Sequence, residues 1–262
     1  MNGNFKTIII TGAGSGIGAA LAEQLAGPGV TLGLIGRELT RLEETAGKCR
    51  EAGAAVATAS IDVRNQDRLA QWLTTFDDNH AIDLVIANAG ITFALDGQRL
   101  HEAEEELANV MQTNFNGVLN TIFPVIERMR IRRQGHVAVL SSLAALHGIP
   151  AFPAYTASKA ALLNYFQGVR GRLTAAGIGL TIICPGYIQT PMTEQLPGVK
   201  LFVVPVAKAA SIIKRGLERR KPQIIFPALL RAGLWLINIM PVSLSTYLLN
   251  RLFGIKDMRG EG

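Results

Sequence analysis

Cysteine and histidine are scarce in this sequence of 262 residues, which contains two cysteines and four histidines. Cys49 and Cys184 are far apart, no CxxC pair occurs, and the histidines are scattered. This distribution excludes a disulfide framework and offers no zinc-ligand spacing, so we expect no metal site. The amino terminus also lacks the apolar run and cleavage site of a secretory signal peptide. We therefore expect a protein of the reducing cytoplasm.

Charged residues are also few, at 18% of the sequence against 48% hydrophobic residues. This composition excludes general disorder, and the length fits one α/β domain. The net charge of +6 is concentrated, because the segment Lys208–Lys221 carries six basic residues and one acidic residue. Such a segment can be a solvated helix face, or it can meet an anionic lipid or an acidic partner. No nucleic-acid recognition motif accompanies it, so we expect no nucleic-acid partner.

Short apolar segments alternate with longer segments of helical spacing. Strands are predicted at Thr7–Ile10, Val30–Ile35, Ala55–Ile61, Leu84–Ala87, Val137–Leu140 and Leu180–Ile183, with Ile224–Phe226 as a candidate last strand. Helices are predicted at Ala19–Leu25, Leu39–Glu51, Gln66–Phe76, Glu102–Met111 and Ala157–Leu173. The alternation predicts an α/β, single-domain Rossmann fold with a doubly wound parallel sheet and helices on both faces.

A glycine-rich turn, Thr11–Gly18, follows the first predicted strand and precedes an Ala- and Leu-rich helix. Glycines permit a tight turn and a close approach of the backbone to a ligand, while the helix amino terminus favours a negative charge. A glycine motif alone is weak, but its position between a strand and a helix predicts a dinucleotide cradle.

Arg37 stands at the end of the second predicted strand, where an NAD-binding site usually has an acidic residue for the ribose hydroxyls. A guanidinium can instead pair with a 2′-phosphate, so NADP(H) is favoured. NAD(H) stays open, because Glu38 would offer a carboxylate if the register differed by one residue.

Tyr155 and Lys159 are four residues apart and therefore share one face of a predicted helix. A nearby ammonium stabilises tyrosinate, so we expect Lys159 to lower the pKa of the Tyr155 phenol. Ser142 follows the predicted strand Val137–Leu140 and would present its hydroxyl to the same cleft.

Together these segments resemble the short-chain dehydrogenase/reductase family over roughly residues 6 to 195. Thr11–Gly18 is similar to its TGxxxGxG motif, Tyr155 and Lys159 to its YxxxK motif, and Pro185–Thr190 to its PGxxxT motif. Asp62 and Val63 resemble its adenine-contacting pair, and Asn88–Gly90 its NAG motif. The predicted cofactor-contacting residues are Gly12, Ser15, Gly16, Ile17, Gly18, Arg37, Asp62, Val63, Asn88, Ala89, Gly90, Tyr155, Lys159, Pro185, Gly186, Ile188 and Thr190.

The resemblance implies a catalytic set of Asn114, Ser142, Tyr155 and Lys159. Tyr155 would be the general acid in reduction and the base in oxidation, and Ser142 would polarise the carbonyl. Lys159 would bind the nicotinamide ribose, and Asn114 would hold a water in the proton path. The implied activity is the NAD(P)-dependent interconversion of a ketone and a secondary alcohol, in a homodimer or larger homo-oligomer.

The carboxyl-terminal part departs from the family pattern, because no Asp-Gly-Gly ending occurs. We expect residues 1–226 to form the Rossmann catalytic domain and residues 227–262 an apolar helical extension. Ala232–Asn250 is uncharged over 19 residues, but Pro241 interrupts it, which disfavours a membrane span. The extension is expected to cover the substrate cleft or a subunit interface, or to lie in a membrane surface beside Lys208–Lys221.

Two enzymatic functions and one non-enzymatic function fit these residues. The first is an NADPH-dependent reductase of a lipophilic carbonyl, such as a steroid-like or long-chain lipid ketone. The second is a 3-oxoacyl reductase acting on an acidic carrier protein, with a docking surface formed by Arg128, Arg130, Arg132, Arg133, Arg170 and Arg172. A nucleotide-binding scaffold without turnover is disfavoured, because all four implied catalytic residues are present.

Overall fold

The computed structural model describes residues 5–95, 99–196 and 199–253. Within them the strands are β1 (Thr7–Thr11), β2 (Thr31–Gly36), β3 (Ala55–Ser60), β4 (Leu84–Ala87), β5 (Gly135–Leu140), β6 (Ile178–Pro185), β7 (Ile188–Gln189), β8 (Val204–Pro205) and β9 (Gln223–Phe226). The α-helices are α1 (Gly16–Leu25), α2 (Leu39–Glu51), α3 (Gln66–Asn79), α4 (Glu104–Met111), α5 (Gly117–Arg132), α6 (Pro153–Ala175), α7 (Pro191–Glu194), α8 (Val206–Glu218), α9 (Ala228–Ile239) and α10 (Val242–Phe253). A π-helical turn spans Gln112–Asn116, and a 3₁₀ turn spans Leu143–Leu146.

Seven strands form one parallel sheet in the order β3-β2-β1-β4-β5-β6-β9. Helices cover both faces, and each face has its own apolar core. β4 and β5 are buried along their whole length, as expected for strands with helices on both sides. The predicted doubly wound α/β fold is confirmed.

The carboxyl edge of the sheet is where polar residues gather. The strand order reverses between β1 and β4, so the loops after these two strands separate and leave a crevice. The loops after β5 and β6 also end at this edge, because all these strands are parallel. A ligand site is therefore favoured at this edge.

The predicted strands and helices are all present, with ends displaced by a few residues. The small parallel pair β7 and β8 was not predicted, because a strand of two residues has no readable period. It joins Ile188 to Val204 and holds the chain beyond β6 across the carboxyl edge.

The apolar tail forms two helices, α9 and α10, after the last strand of the sheet. Asn238 attaches α9 to the 3₁₀ turn, since its Nδ2 donates to the Leu146 carbonyl at 2.9 Å and its Oδ1 lies 2.7 Å from His147 Nδ1. Neither helix, nor any other in the described residues, is long and apolar enough to cross a membrane. The end of the predicted extension, residues 254–262, lies outside the described residues.

The cationic segment does not lie wholly beside the tail, which corrects the expectation from the sequence. α8 runs back toward the amino edge of the sheet, where the Thr181 hydroxyl donates to the Lys221 carbonyl at 2.7 Å. The Arg220 guanidinium lies 5.5 Å from the centroid of the Phe5 ring at the same edge. β9 then runs to the carboxyl edge of the sheet, where α9 follows. The length of the sheet therefore separates Arg220 and Lys221 from α9.

Candidate active site

A cleft of about 300 Å³ lies at the carboxyl edge of the sheet. The predicted site residues that line it are Gly12, Ser15, Gly16, Ile17, Arg37, Asp62, Val63, Asn88, Ala89, Gly90, Ser142, Tyr155, Lys159, Pro185, Gly186, Ile188 and Thr190. Gly18 and Asn114 lie directly behind its wall. The structure thus brings together residues that are spread over most of the sequence.

The glycine turn begins the cleft, and two of its glycines are required by geometry. Gly12 has a φ of +67°, in the left-handed region that side chains rarely adopt. A Cβ on Gly18 would clash with the Gly12 carbonyl oxygen and lie 2.6 Å from Asn88 Nδ2. Asn88 Nδ2 also donates to the Thr11 carbonyl at 2.8 Å, which ties the end of β4 to the turn. The amino terminus of α1 is therefore accessible to an anionic group, as a dinucleotide cradle requires.

The other end of the cleft carries two arginines. Arg37, directly after β2, lines the cleft and is exposed. Arg41 in the first turn of α2 lines it too, and its Nε lies 3.0 Å from a Glu38 carboxylate oxygen. Asp62 pairs with Arg64 at 2.7 Å, and these hydrogen bonds lower the pKa of the Asp62 carboxyl. The sequence analysis missed Arg41, which only the first turn of α2 brings to this end.

The Tyr155, Lys159 and Ser142 side chains meet at the inner end of the cleft. α6 carries Tyr155 and Lys159, and the Lys159 Nζ lies 5.7 Å from the Tyr155 ring centroid. Lys159 is 3% exposed, and its Nζ donates to the Leu140 carbonyl at 2.8 Å. The Ser142 Oγ accepts a hydrogen bond from the Ala144 N–H at 3.0 Å, which fixes the hydroxyl at the end of β5.

The pKa of Tyr155 shifts opposite to the direction predicted from the sequence. Burial raises the pKa of the phenol, and a hydrogen bond with Ser142 lowers it by a smaller amount. Burial also lowers the pKa of Lys159 to about 8. Taking both groups out of water disfavours their charged forms, and this is the largest cause of each shift. Near neutral pH, Tyr155 is therefore a phenol that holds its proton.

Asn114 joins three segments behind the cleft. It lies in the π-helical turn and is fully buried. Its Oδ1 accepts from the Ile91 N–H at 2.8 Å, and its Nδ2 donates to the Ile91 carbonyl at 2.9 Å and to Ser158 Oγ at 3.0 Å. A Cβ placed on Gly90 would lie 3.2 Å from Asn114 Oδ1 and 3.4 Å from Lys159 Nζ. Asn114 thus ties the chain after β4 to the catalytic helix close to Lys159.

The chain after β6 forms the opposite wall. The Gly186 N–H donates to the Phe226 carbonyl at 2.8 Å, which anchors this segment to β9. Thr190 caps α7, since its Oγ1 accepts from the Thr193 N–H at 3.3 Å. A Cβ on Gly16 would lie 3.3 Å from the Thr190 methyl group, so Thr190 stands beside the start of α1.

A second cavity, of about 270 Å³, adjoins the first. Ser142, Tyr155 and Gly186 line both cavities. Its other walls are largely apolar and come from the 3₁₀ turn, the segment after β6 and the tail helices. From the tail, the lining residues are Leu229, Leu230, Gly233, Leu234, Ile237, Leu249 and Leu252. The tail therefore encloses a pocket that ends at the Ser142 and Tyr155 hydroxyls.

Residues 6–198 match the profile of the short chain dehydrogenase family. The chain belongs to this family. As a short-chain dehydrogenase it is an NAD(P)-dependent oxidoreductase. The glycine turn, in which a side chain at Gly12 or Gly18 would clash with its surroundings, fits the nicotinamide cofactor that this family uses.

Two curated relatives and one solved structure show the range of this family. The 11-beta-hydroxysteroid dehydrogenase-like 2 of Arabidopsis thaliana is 30% identical over 258 residues, covering 95% of this chain and 82% of that protein. The ketoacyl reductase HetN of Nostoc sp. is 27% identical over 263 residues, covering 96% and 90%. A short chain dehydrogenase/reductase of Burkholderia phymatum in complex with NAD has the same fold, with a TM-score of 0.80, 23% identity, and coverage of 89% and 92%.

Two further residues of this short-chain dehydrogenase were not found from its sequence. Glu102 is 5% exposed, and its Oε1 accepts from the Ala154 N–H at 2.8 Å, one residue before Tyr155. Tyr187 lines the apolar cavity, and burial raises its pKa to about 12. Tyr187 lies within the predicted PGxxxT motif, but Glu102 is 52 residues from its partner, and no sequence signal marks that contact.

Proposed function

We propose that this short-chain dehydrogenase is an NADPH-dependent reductase that converts a lipophilic ketone to a secondary alcohol, and that it also catalyses the reverse oxidation. The observation that carries the proposal is the shared wall of the two cavities. Ser142 and Tyr155 line both the polar cleft with the glycine turn and the apolar pocket. A carbonyl at the end of the apolar pocket would thus meet both hydroxyls beside the cofactor cleft.

The chain's own groups then supply binding, orientation and a proton. The bound nicotinamide cofactor supplies the hydride for the carbonyl carbon. The Ser142 and Tyr155 hydroxyls donate hydrogen bonds to the carbonyl oxygen, where negative charge develops. Tyr155 then gives its proton to this oxygen, and the raised pKa of the phenol ensures that this proton is present near pH 7. Lys159, which lines the cleft, would hold the nicotinamide ribose, and Asn114 keeps α6 in register with the chain after β4.

The substrate class follows from the walls of the second cavity. Leucine, isoleucine and phenylalanine side chains form most of the wall, and Ser142 and Tyr155 contribute hydroxyls to it. Burial of apolar surface stabilises a bound ligand by about 25 cal/mol per Å², so such a pocket favours an apolar body with one carbonyl. A steroid-like ketone or a long-chain lipid ketone has this form.

NADP(H) is the proposed cofactor because two arginines lie where the adenosine ribose would be held. Arg37 and Arg41 both line that end of the cleft. Glu38, the residue that left NAD(H) open, forms an ion pair with Arg41. A guanidinium pairs well with a phosphate group, and Arg37 would supply that contact.

Replacement of Tyr155 tests the proposed chemistry. Tyr155→Phe keeps the ring but removes the transferable proton, so kcat with an apolar ketone should fall by at least about 100-fold. Binding of NADPH, measured by fluorescence titration, should persist. Near-normal kcat in this variant would contradict the mechanism.

Replacement of Arg37 tests the cofactor. Arg37→Asp places a carboxylate where the 2′-phosphate would lie, so kcat/KM should fall with NADPH and the preference should move toward NADH. Arg68→Asp is the matched control, because Arg68 is exposed but does not line the cleft. A wild-type enzyme that already prefers NADH would overturn the NADP assignment.

Reduction of a 3-oxoacyl group on a carrier protein is the second candidate, favoured by the resemblance to a ketoacyl reductase. The arginines proposed as its docking surface do not support it. Arg132 and Arg128 pair with the buried Asp77, and Arg170 donates to the Leu180 and Pro222 carbonyls near the amino edge of the sheet. The mouth of the catalytic cavity is at the other edge. A higher kcat/KM for the carrier-bound substrate than for the free one would favour this candidate.

We also propose a homodimer or a larger homo-oligomer. The helices α4, α5 and α6 expose large apolar residues, with Leu107 at 48% and Phe123 at 47%. Phe123 and Phe115 both contact the Tyr165 ring on this face. An exposed apolar surface of this kind favours association, which light scattering in solution would measure.

A further inference from the structure

The mouth of the apolar cavity is framed by apolar side chains that are also exposed. Val199, Phe202, Leu229 and Leu252 line the cavity, yet they are 56%, 51%, 68% and 37% exposed. A residue that lines a cavity and is also exposed to solvent lies at the opening of that cavity. A substrate must therefore pass these residues to reach Tyr155.

Further exposed apolar side chains lie on the two tail helices and at Val203, beside the mouth residue Phe202. These outward residues do not line the cavity, so the substrate pocket does not account for them. We call the mouth residues and these outward residues together the rim surface. Its outward members and their exposed fractions are Val203 43%, Trp235 62%, Leu236 47%, Ile239 62%, Val242 80%, Leu244 45% and Tyr247 56%.

The charged side chains of α9 and α10 are both cationic. Arg231 and Arg251 are exposed on α9 and α10, and neither helix contains an aspartate or a glutamate. Lys200 adds a third cation between the mouth residues Val199 and Phe202. The last cations of Lys208–Lys221 lie at the other edge of the sheet and contribute little here.

We propose that the rim surface binds the surface of an anionic lipid bilayer and that the lipophilic substrate enters the cavity from that bilayer. The proposal rests on the proposed function for the substrate. Apolar and aromatic side chains enter the interfacial layer of a bilayer, while flanking cations attract anionic headgroups. A second copy of this chain is a poorer occupant, because a two-fold contact between the tail helices would bring Arg231 and Arg251 together, and α9 and α10 contain no acid to pair them. It would also close the cavity mouth.

The two tryptophans allow a direct measurement. Trp72 stacks on Phe76 within the fold, with ring centroids 5.2 Å apart, whereas Trp235 belongs to the rim surface. A Trp72→Phe variant therefore reports Trp235 alone. Mixed with vesicles of phosphatidylcholine and phosphatidylserine in equal parts, its emission should shift to the blue, and lipids with brominated chains should quench it. No shift, no quenching and no co-sedimentation with these vesicles at low salt would overturn the proposal.

Two isoleucines give a matched pair of substitutions. Ile239 in the last turn of α9 is 62% exposed on the rim surface, and Ile131 in the last turn of α5 is 75% exposed away from it. Ile239→Glu should weaken vesicle binding by at least about tenfold, because a charged carboxylate would enter the apolar layer. Ile131→Glu should leave it unchanged. Equal weakening of vesicle binding by both changes would overturn the proposal. It would also be overturned if Ile239→Glu converted a dimer to a monomer and left vesicle binding unchanged.

Failure of the bilayer contact can be told apart from failure of the proposed function. Vesicle binding needs no turnover, and kcat with a small water-soluble ketone needs no bilayer. Ile239→Glu should keep that kcat but raise KM for a long-chain ketone supplied in the vesicles. Wild-type protein that binds vesicles but reduces no ketone would reject the proposed function alone. If the enzyme binds no vesicles and reduces long-chain ketones equally well with and without them, the bilayer contact alone is rejected.

Discussion

At the scale of the residue, Glu102 lies outside every motif but contacts the start of the helix that carries Tyr155, the proposed catalytic residue. Its buried carboxylate accepts the Ala154 N–H at the amino terminus of α6, where a negative charge is favourable. The first residue of that helix is Pro153, which has no N–H, so the Ala154 N–H is the first donor that the helix must satisfy. Glu102 is therefore a positioning residue for Tyr155, one residue further along.

Substitution of Glu102 should separate positioning from general stability. Glu102→Ala should lower kcat by roughly tenfold, because small displacements of a catalytic group are costly, while KM for the cofactor changes little. Glu102→Gln keeps an acceptor oxygen and should restore most of kcat. Glu104→Ala, at an exposed position two residues on, is the control in the same steady-state assay. A kcat loss that Gln does not rescue would contradict positioning through this hydrogen bond.

At the scale of the element, α9 forms a wall of the apolar cavity, and Gly233 leaves one position of this wall without a side chain. Gly233 lines the cavity, and a Cβ placed on it would meet nothing within 4 Å. The first carbon of a leucine side chain therefore has room here, and the rest of the side chain would occupy space in the cavity that Gly233 lines. Leucine would also improve the helix, since glycine costs about 1 kcal/mol relative to good helix formers.

Gly233→Leu should therefore exclude large substrates while preserving the fold. We expect kcat/KM for a steroid-like or long-chain ketone to fall by at least about tenfold, because the added side chain occupies its space. Activity on a small ketone should be retained. Gly47→Leu in α2, where a Cβ also meets nothing, is the control for helix propensity. Equal activity of Gly233→Leu on large and small ketones would show that substrates do not occupy this cavity.

At the scale of the whole molecule, the tail forms part of the apolar cavity but not of the cofactor cleft. The sheet is complete at β9, and the cofactor cleft contains no residue of α9 or α10. The apolar cavity, in contrast, loses one side without them. Leu234, Ser245 and Leu249, at 7%, 5% and 4% exposure, are the buried residues in the described part of the tail.

Deletion of Ala228–Gly262 should thus leave cofactor binding intact but damage substrate selection. We expect kcat/KM to fall much more for long-chain ketones than for small ones, because only the long substrates contact the tail wall. NADPH titration of the truncated protein checks that its core is folded. Equal losses for both substrate classes would mean that the tail stabilises the fold without shaping the pocket.

The sequence alone was sufficient for the fold class and for the motifs that line the cleft, although it missed Arg41. Strand and helix periods are local, so the alternation that predicts a parallel sheet can be read directly. Glycines with no room for a side chain and a Tyr–Lys pair on one helix face are also local features. The structure places these motifs along one cleft, as parallel strands that end at the same edge require.

What needed the tertiary structure were the contacts between distant residues and the effects of burial. In the sequence, the tail can be recognised only as an apolar segment. In the structure, it folds against the segment after β6 and forms a wall of the pocket. Lys208–Lys221 precedes it closely in sequence, yet β9 carries the chain across the sheet and separates the last cations from α9. Spacing correctly paired Tyr155 with Lys159 but predicted the wrong pKa direction, because desolvation depends on everything packed around both groups. Periodicity describes neighbours along the chain, whereas burial and distant contacts are properties of the completed fold.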